Sequence, residues 1–151
     1  MALTPEQLTE YFDQYGWTYQ QVNENYIRTA FGGDIGSFVI QVRISGDWVY
    51  FAISPFVVAP KDAECERKLH RHLLKLNHEM NMAKFTTDPD GDVILTVELP
   101  SENLDYSEFS DALGALCYYA DDNYAQVFIL AHVPEAHSIY EKTQDLDWET
   151  G

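Results

Sequence analysis

The feature that most constrains this chain is a strict alternation between Ser37 and Ser45. Phe38, Ile40, Val42 and Ile44 fall on one side, with Val39, Gln41, Arg43 and Ser45 on the other. That is the period of a strand covered on one face and wet on the other. A second apolar run, 48–54, follows after Gly46-Asp47 alone. Two residues cannot carry a chain back for parallel pairing, so these runs are expected to form an antiparallel hairpin. The punctuation extends upstream, where runs 17–22 and 26–31 are bounded by Asn23-Glu24-Asn25 and Gly32-Gly33-Asp34. Residues 17–54 therefore read as a half-covered antiparallel meander.

Helical periods flank the meander. Thr4 is a candidate cap, Pro5 suits the first helical position and Gln7 stands three after the cap. Leu8, Tyr11, Phe12 and Tyr15 then repeat at helical spacing until Gly16, predicting a helix over 5–15. Pro55 and Pro60 bracket a transition. From Asp62 the helical period returns through Cys65, Leu69, Leu73, Leu76 and Met80, predicting a helix over 62–81. Its other face carries Glu64, Glu66, Arg67, Lys68, His70, Arg71, His72 and Lys75, one dry stripe against one wet face. Runs 83–87 and 93–99, joined by Asp88-Pro89-Asp90-Gly91-Asp92, read as a hairpin. A long pattern through Phe109, Leu113, Leu116, Ala120, Tyr124 and Val127 predicts a helix over 105–131, with Asp121-Asp122-Asn123 as a possible break. The periodicity ends after Pro134. Residues 135–151 read as an acidic tail in which Trp148 is the large apolar residue able to dock back. The chain is thus expected to be one α+β domain, 1–134, with a single antiparallel sheet, followed by the tail.

Charge narrows the function classes. The 151 residues carry 25 acids against 9 Lys and Arg, a formal −16. Such a field repels a phosphate backbone or an anionic bilayer, so neither nucleic acid nor membrane is an expected partner. No apolar run approaches the roughly 20 residues that span a bilayer, and residues 1–10 lack a basic start and an apolar stretch. Two cysteines cannot build a disulfide framework, which leaves a reducing, cytoplasmic setting as the expectation. The cations are concentrated: Lys61, Arg67, Lys68, Arg71 and Lys75 fall within 61–75, whereas residues 1–60 hold six acids against Arg28 and Arg43. The segregated helix is either a solvated face or a surface that steers a partner.

Catalytic patterns are missing. His78-Glu79 opens a zinc-helix motif, but Met82 stands where the second histidine is required. His70 and His72 are two apart on a helix and point different ways. Asp88–Asp92 lacks the order and the closing glutamate of a calcium loop, and turn chemistry accounts for it. Cys65 and Cys117 lie on apolar stripes and read as inert thiols. Gly32-Gly33-Asp34-Ile35-Gly36 has neither a phosphate-binding order nor a lysine. No catalytic residue, metal or cofactor is expected.

The segment LLKLNHEMNMAKF at 73–85, continued by TTDPDGDVILTVELP to Pro100, resembles the YbjN-like family, whose fold is related to type III secretion chaperones. Leu74, Leu76, Asn77, Met80, Asn81, Ala83 and Phe85 carry the resemblance, with Asp90, Gly91, Val93 and Glu98-Leu99-Pro100. It implies a curved antiparallel sheet with helices on one side, in the order helix, three strands, helix, two strands, helix, and a two-fold homodimer. It implies no chemistry: secretion chaperones hold an extended client segment, and YbjN-like proteins are regarded as regulators. The expectation is a non-enzymatic, chaperone-like or regulatory domain that binds a protein or peptide client, with a ligand-sensing domain as the alternative and an enzyme behind both. Asn77 and Asn81 are placed to satisfy free carbonyls near the helix end. With His78 they are also candidate partner-binding residues, beside the cations Arg67, Lys68, Arg71 and Lys75.

Overall fold

The changes of period at Gly16, Pro60 and Pro100 become boundaries in the structure, a computed structural model that describes residues 1–141. Helix α1 spans Pro5–Tyr15. At its start the Thr4 hydroxyl accepts from the Gln7 N–H at 3.1 Å, and the Gln7 side chain accepts from the Thr4 N–H at 3.0 Å. At its end Gly16 takes the left-handed conformation, φ 85°, that lets two helix carbonyls bond its N–H. Four strands follow, β1 Gln20–Asn23, β2 Tyr26–Gly32, β3 Ser37–Ser45 and β4 Trp48–Val57. Then come α2 (Ala63–Glu79), β5 (Lys84–Thr87), β6 (Val93–Pro100) and α3 (Tyr106–His132). The strands form one antiparallel sheet in the order β1-β2-β3-β4-β6-β5.

All three helices cover the same face of the sheet, opposite the wet phase of the strands. From β3 to β6 that face presents Ile40, Val42, Val49, Phe51, Ile53, Leu95 and Val97, each at most 2% exposed. Helix α3 lies across them with Phe109 at the hub, its ring 4.9 Å from Phe12 and 5.9 Å from Phe51. Burial on this scale, about 1.5–3 kcal/mol for each large side chain, selects the register: a one-residue slip would turn the whole apolar set into water.

Several expectations change in detail. The first strand begins at Gln20 and is exposed throughout. Trp17 precedes it and stacks on Phe31 at 6.2 Å. This edge strand makes four strands before α2 where the resemblance implied three. Strand β4 continues past Ser54 to Val57 through an irregular register that includes a cis Ser54–Pro55 bond. There a proline costs no ladder hydrogen bond, which is why the sequence pattern stopped short. Helix α2 ends at Glu79, and Met82 lies in the following turn at φ 71°. Asp121-Asp122-Asn123 do not break the long helix, and α3 runs continuously as the expected span of 105–131 allowed. The Asp121 carboxylate reaches out of α3 to accept the Ile35 N–H at 3.2 Å, and Asn123 bonds the Tyr119 carbonyl within the helix. Gly33 lets the β2–β3 loop come this close, since a Cβ there would lie 2.5 Å from that carboxylate. In the β5–β6 loop, Asp88 accepts the N–H groups of Asp90 and Asp92 at 2.9 and 3.0 Å, the turn chemistry the sequence implied.

Candidate interaction surfaces

The outer face of α2 gathers most of the residues singled out in the sequence. Arg67, Arg71, Leu74, Lys75 and His78 recur at three- and four-residue spacing and line one shallow concavity of about 700 Å³. Leu74 stands in their midst 70% exposed. Arg67 is held over this face by Glu64 at 2.6 Å and Glu141 at 3.4 Å. Arg71 is half-buried, its Nε without a hydrogen-bond partner among the described residues.

Lys68, expected as a fourth surface cation, is instead 3% exposed. Its ammonium donates to the carbonyls of Pro134, at 2.7 Å, and of Ala136. The reason is the segment following α3, which folds back over α2 and supplies carbonyls that desolvate the lysine and satisfy it at once. Beside it His72, 2% exposed, shares a 2.7 Å hydrogen bond with the Ser138 hydroxyl. Burial holds the His72 imidazole below its ordinary 6.5, against the opposing influence of Glu79 and Glu141. Tyr140 closes the strap by donating to Glu79 at 2.8 Å. Its phenol is pushed up to about 12 by burial and by that carboxylate. The expectation that Trp148 docks back lies outside the described residues.

Asn77 serves the fold rather than free helix carbonyls. Its amide donates to the Phe85 carbonyl at 3.0 Å and accepts the Phe85 N–H at 2.8 Å, clamping α2 to β5. Phe85 lies opposite Leu95 on the edge strand with its single N–H and C=O turned toward α2, where without Asn77 both would lack partners. Asn81 is exposed, and its backbone N–H donates to the Tyr119 hydroxyl at 3.0 Å. His78 is thus the one member of the Asn77, His78 and Asn81 set that lines the α2 concavity.

A second surface was missed in the sequence. The sheet face opposite the helices is left uncovered by the described residues; concavities of about 370 and 250 Å³ lie over it, joined by one of about 480 Å³ that reaches past Ser37 and Pro55 to Tyr124 of α3. Arg28 and Val39 line the largest and the middle one, while Gln41 and Ser54 are shared by the largest and the smallest. The polar phase of β3 was visible in the sequence, but not which strands would lie beside it.

Among the described residues no group of three His, Cys, Asp or Glu side chains comes together as a metal site. Cys65 is buried, and burial pushes its thiol up. Cys117 is pushed up to about 12 for the same reason, which disfavours the nucleophilic thiolate. No described helix is long and apolar enough to cross a membrane.

An open antiparallel sheet with its helices on one face is the architecture of YbjN and of type III secretion chaperones, and solved structures bear the class out. YbjN from E. coli, described as a putative transcription regulator, matches with a TM-score of 0.58 at 11% identity, over 83% of this chain and 96% of its own. The ExoU–SpcU complex of the Pseudomonas aeruginosa type III secretion system matches at 0.55 and 17% identity, over 81% and 95%. The HopA1–SchA chaperone–effector complex matches at 0.53 and 10% identity, over 75% and 86%. At such identities the likeness establishes the fold. No curated protein is significantly similar in sequence. Residues 4–128 match the family model YbjN, described as "Putative bacterial sensory transduction regulator". The chain belongs to the YbjN family.

Proposed function

We propose that this protein is a non-enzymatic, chaperone-like interaction domain of the cytoplasm that pairs with a second copy and binds a protein or peptide client, with the outer face of α2 as a docking surface. The observation that carries the reading is Leu74, 70% exposed among Arg67, Arg71, Lys75 and His78 on a chain of net charge −16. An apolar side chain inside a cationic ring is the make-up of a small interface, with the rim setting the encounter rate and the centre the residence time. The match to a chaperone–effector complex supports a client, because this fold accommodates one there.

Sedimentation equilibrium at micromolar concentration tests the pairing, and a monomer there ends it. Replacing Arg67 and Arg71 together by Glu tests the face. The expected result is slower association and an altered salt dependence; because Arg71 is half-buried and Arg67 pairs with Glu64 and Glu141, the thermal midpoint is read alongside to separate a loss of fold from a loss of contact. Association unaffected by the reversal would reduce the face to solvation. A thermal-shift response to small molecules with no protein partner captured would favour the ligand-sensing reading.

A further inference from the structure

We propose that the uncovered face of the sheet is a second binding surface, and that its occupant is an extended acidic segment of a partner polypeptide lying across the strands. The inference rests on the reading of the domain as an interaction module but not on the α2 face.

Strand register places the charges. Arg28 pairs with Gln41, Gln41 with Ala52, Ala52 with Thr96 and Thr96 with Lys84. These five residues form one row across β2, β3, β4, β6 and β5, running from Arg28 to Lys84, and Gln20 of β1 extends it by one uncharged position beyond Arg28. At about 4.8 Å between strands the row is about 19 Å long. The adjacent row on the same face runs Tyr26, Arg43, Tyr50, Glu98. Outside 61–75, every Lys and Arg among the described residues is therefore on this face: Arg28, Arg43 and Lys84.

The concavities over the face contain a single carboxylate, Glu98. It is already engaged, accepting from Lys84 at 2.7 Å and from the Thr96 hydroxyl at 2.9 Å. Arg28 and Arg43 make no ion pair among the described residues. On a chain with 25 acids, a broad surface with two unpaired guanidiniums and one neutralised acid is a local reversal of the field. Such a surface attracts acidic groups that the rest of the molecule repels.

The shape of the face selects a polypeptide. Val39 and Trp48, 47% and 46% exposed, lie on the same phase as Arg43 and Tyr50, offering apolar contact between the charges. A row of about 19 Å matches roughly six extended residues at about 3.3 Å each. A second copy meeting this face with its own would set Arg28 and Arg43 against themselves, which like-charge repulsion disfavours. A nucleic acid carries a phosphate at every nucleotide along a length that outruns the patch, whereas a polypeptide segment can confine its acids to the patch and set apolar side chains against Val39 and Trp48.

Fluorescence anisotropy of the full chain with a labelled peptide of alternating Asp/Glu and Leu/Phe tests the proposal. The comparison probes are the same peptide with Lys in place of the acids and a single-stranded DNA of equal charge. The expected result is binding of the acidic peptide alone, weakened at least about tenfold in Arg28→Gln/Arg43→Gln, an effect of about 1.4 kcal/mol. That double variant leaves the Lys84–Glu98 pair in place, so its thermal midpoint should equal that of the parent. Equal affinity for the DNA would make the face a general polyanion patch and overturn the assignment to polypeptide. Unchanged peptide affinity in the double variant would overturn the site. If Arg67→Glu/Arg71→Glu abolishes peptide binding and Arg28→Gln/Arg43→Gln does not, the acidic segment belongs to α2: this proposal fails while the reading of α2 as the docking surface stands.

Discussion

One sheet has two unlike faces built from the same strands. Along β3 the covered positions are Phe38, Ile40 and Val42, and the open ones are Val39, Gln41 and Arg43. Along β4 Val49, Phe51 and Ile53 are buried while Trp48, Tyr50, Ala52 and Ser54 look the other way. Adjacent residues therefore answer to different demands, cohesion on one side and association on the other. A strand with both faces buried has no such freedom, and the single-sided placement of α1, α2 and α3 is what grants it.

The division is broken most directly on the covered side. Phe51, fully buried against Phe109, should cost about 3–5 kcal/mol when changed to Ala, read as a lower urea midpoint with little change in slope. A loss below 1 kcal/mol would mean that α3 does not press on the sheet as described.

Next in size is the clamp between α2 and β5. Asn77→Ala strands the N–H and C=O of Phe85 and should cost about 1–3 kcal/mol by the same denaturation, whereas Asn81→Ala, four residues on and exposed, should stay within about 0.5 kcal/mol. Equal effects would show that the two amides share one role.

The strap over α2 gives a test by pH. Because burial lowers the His72 pKa in the folded chain, the unfolded state binds more protons at intermediate pH, and stability rises with pH there. The contribution of neutral His72 is present above 6.5 and is lost as pH falls through that unfolded value toward the lower folded one. Glu79 and Glu141, which favour the imidazolium, narrow the window from below. Amide exchange at Ser138 and Tyr140 should therefore quicken on acidification through this range. Exchange independent of pH after correction for intrinsic rates would remove His72 from the strap.

The smallest effect is expected on the open face. Arg43→Gln should change the urea midpoint by no more than about 0.5 kcal/mol, because the exposed Arg43 makes no ion pair among the described residues. A larger loss would show that the open face shares in cohesion after all.

The covered face was legible because period 2 and period 3.6 are local. Thr4, Gly16, Pro60 and Pro100 mark boundaries with residues whose conformational limits are their own. The Asn77 clamp reaches only eight positions and still went unread, since a helix-end amide has nearer carbonyls to satisfy and nothing local favours Phe85. Lys68 was illegible for a stronger reason: its acceptors, Pro134 and Ala136, lie 66 and 68 residues away. The open-face cations fell between these cases. The position of Arg43 in a polar phase was plain, but the concavity it shares with Lys84 depends on β6 pairing with both β4 and β5. A sequence-local hairpin pattern does not specify which of its strands pairs with β4.

The separation of cohesion from association is tested most directly by mapping backbone amide shifts of the full chain during titration with the acidic peptide. The structure predicts perturbations concentrated at Arg28, Gln41, Arg43, Ala52, Thr96 and Lys84, with the amides of Phe12, Phe109 and Leu113 on the covered side unmoved. Perturbations concentrated between Arg67 and His78, or spread evenly through the core, would contradict it.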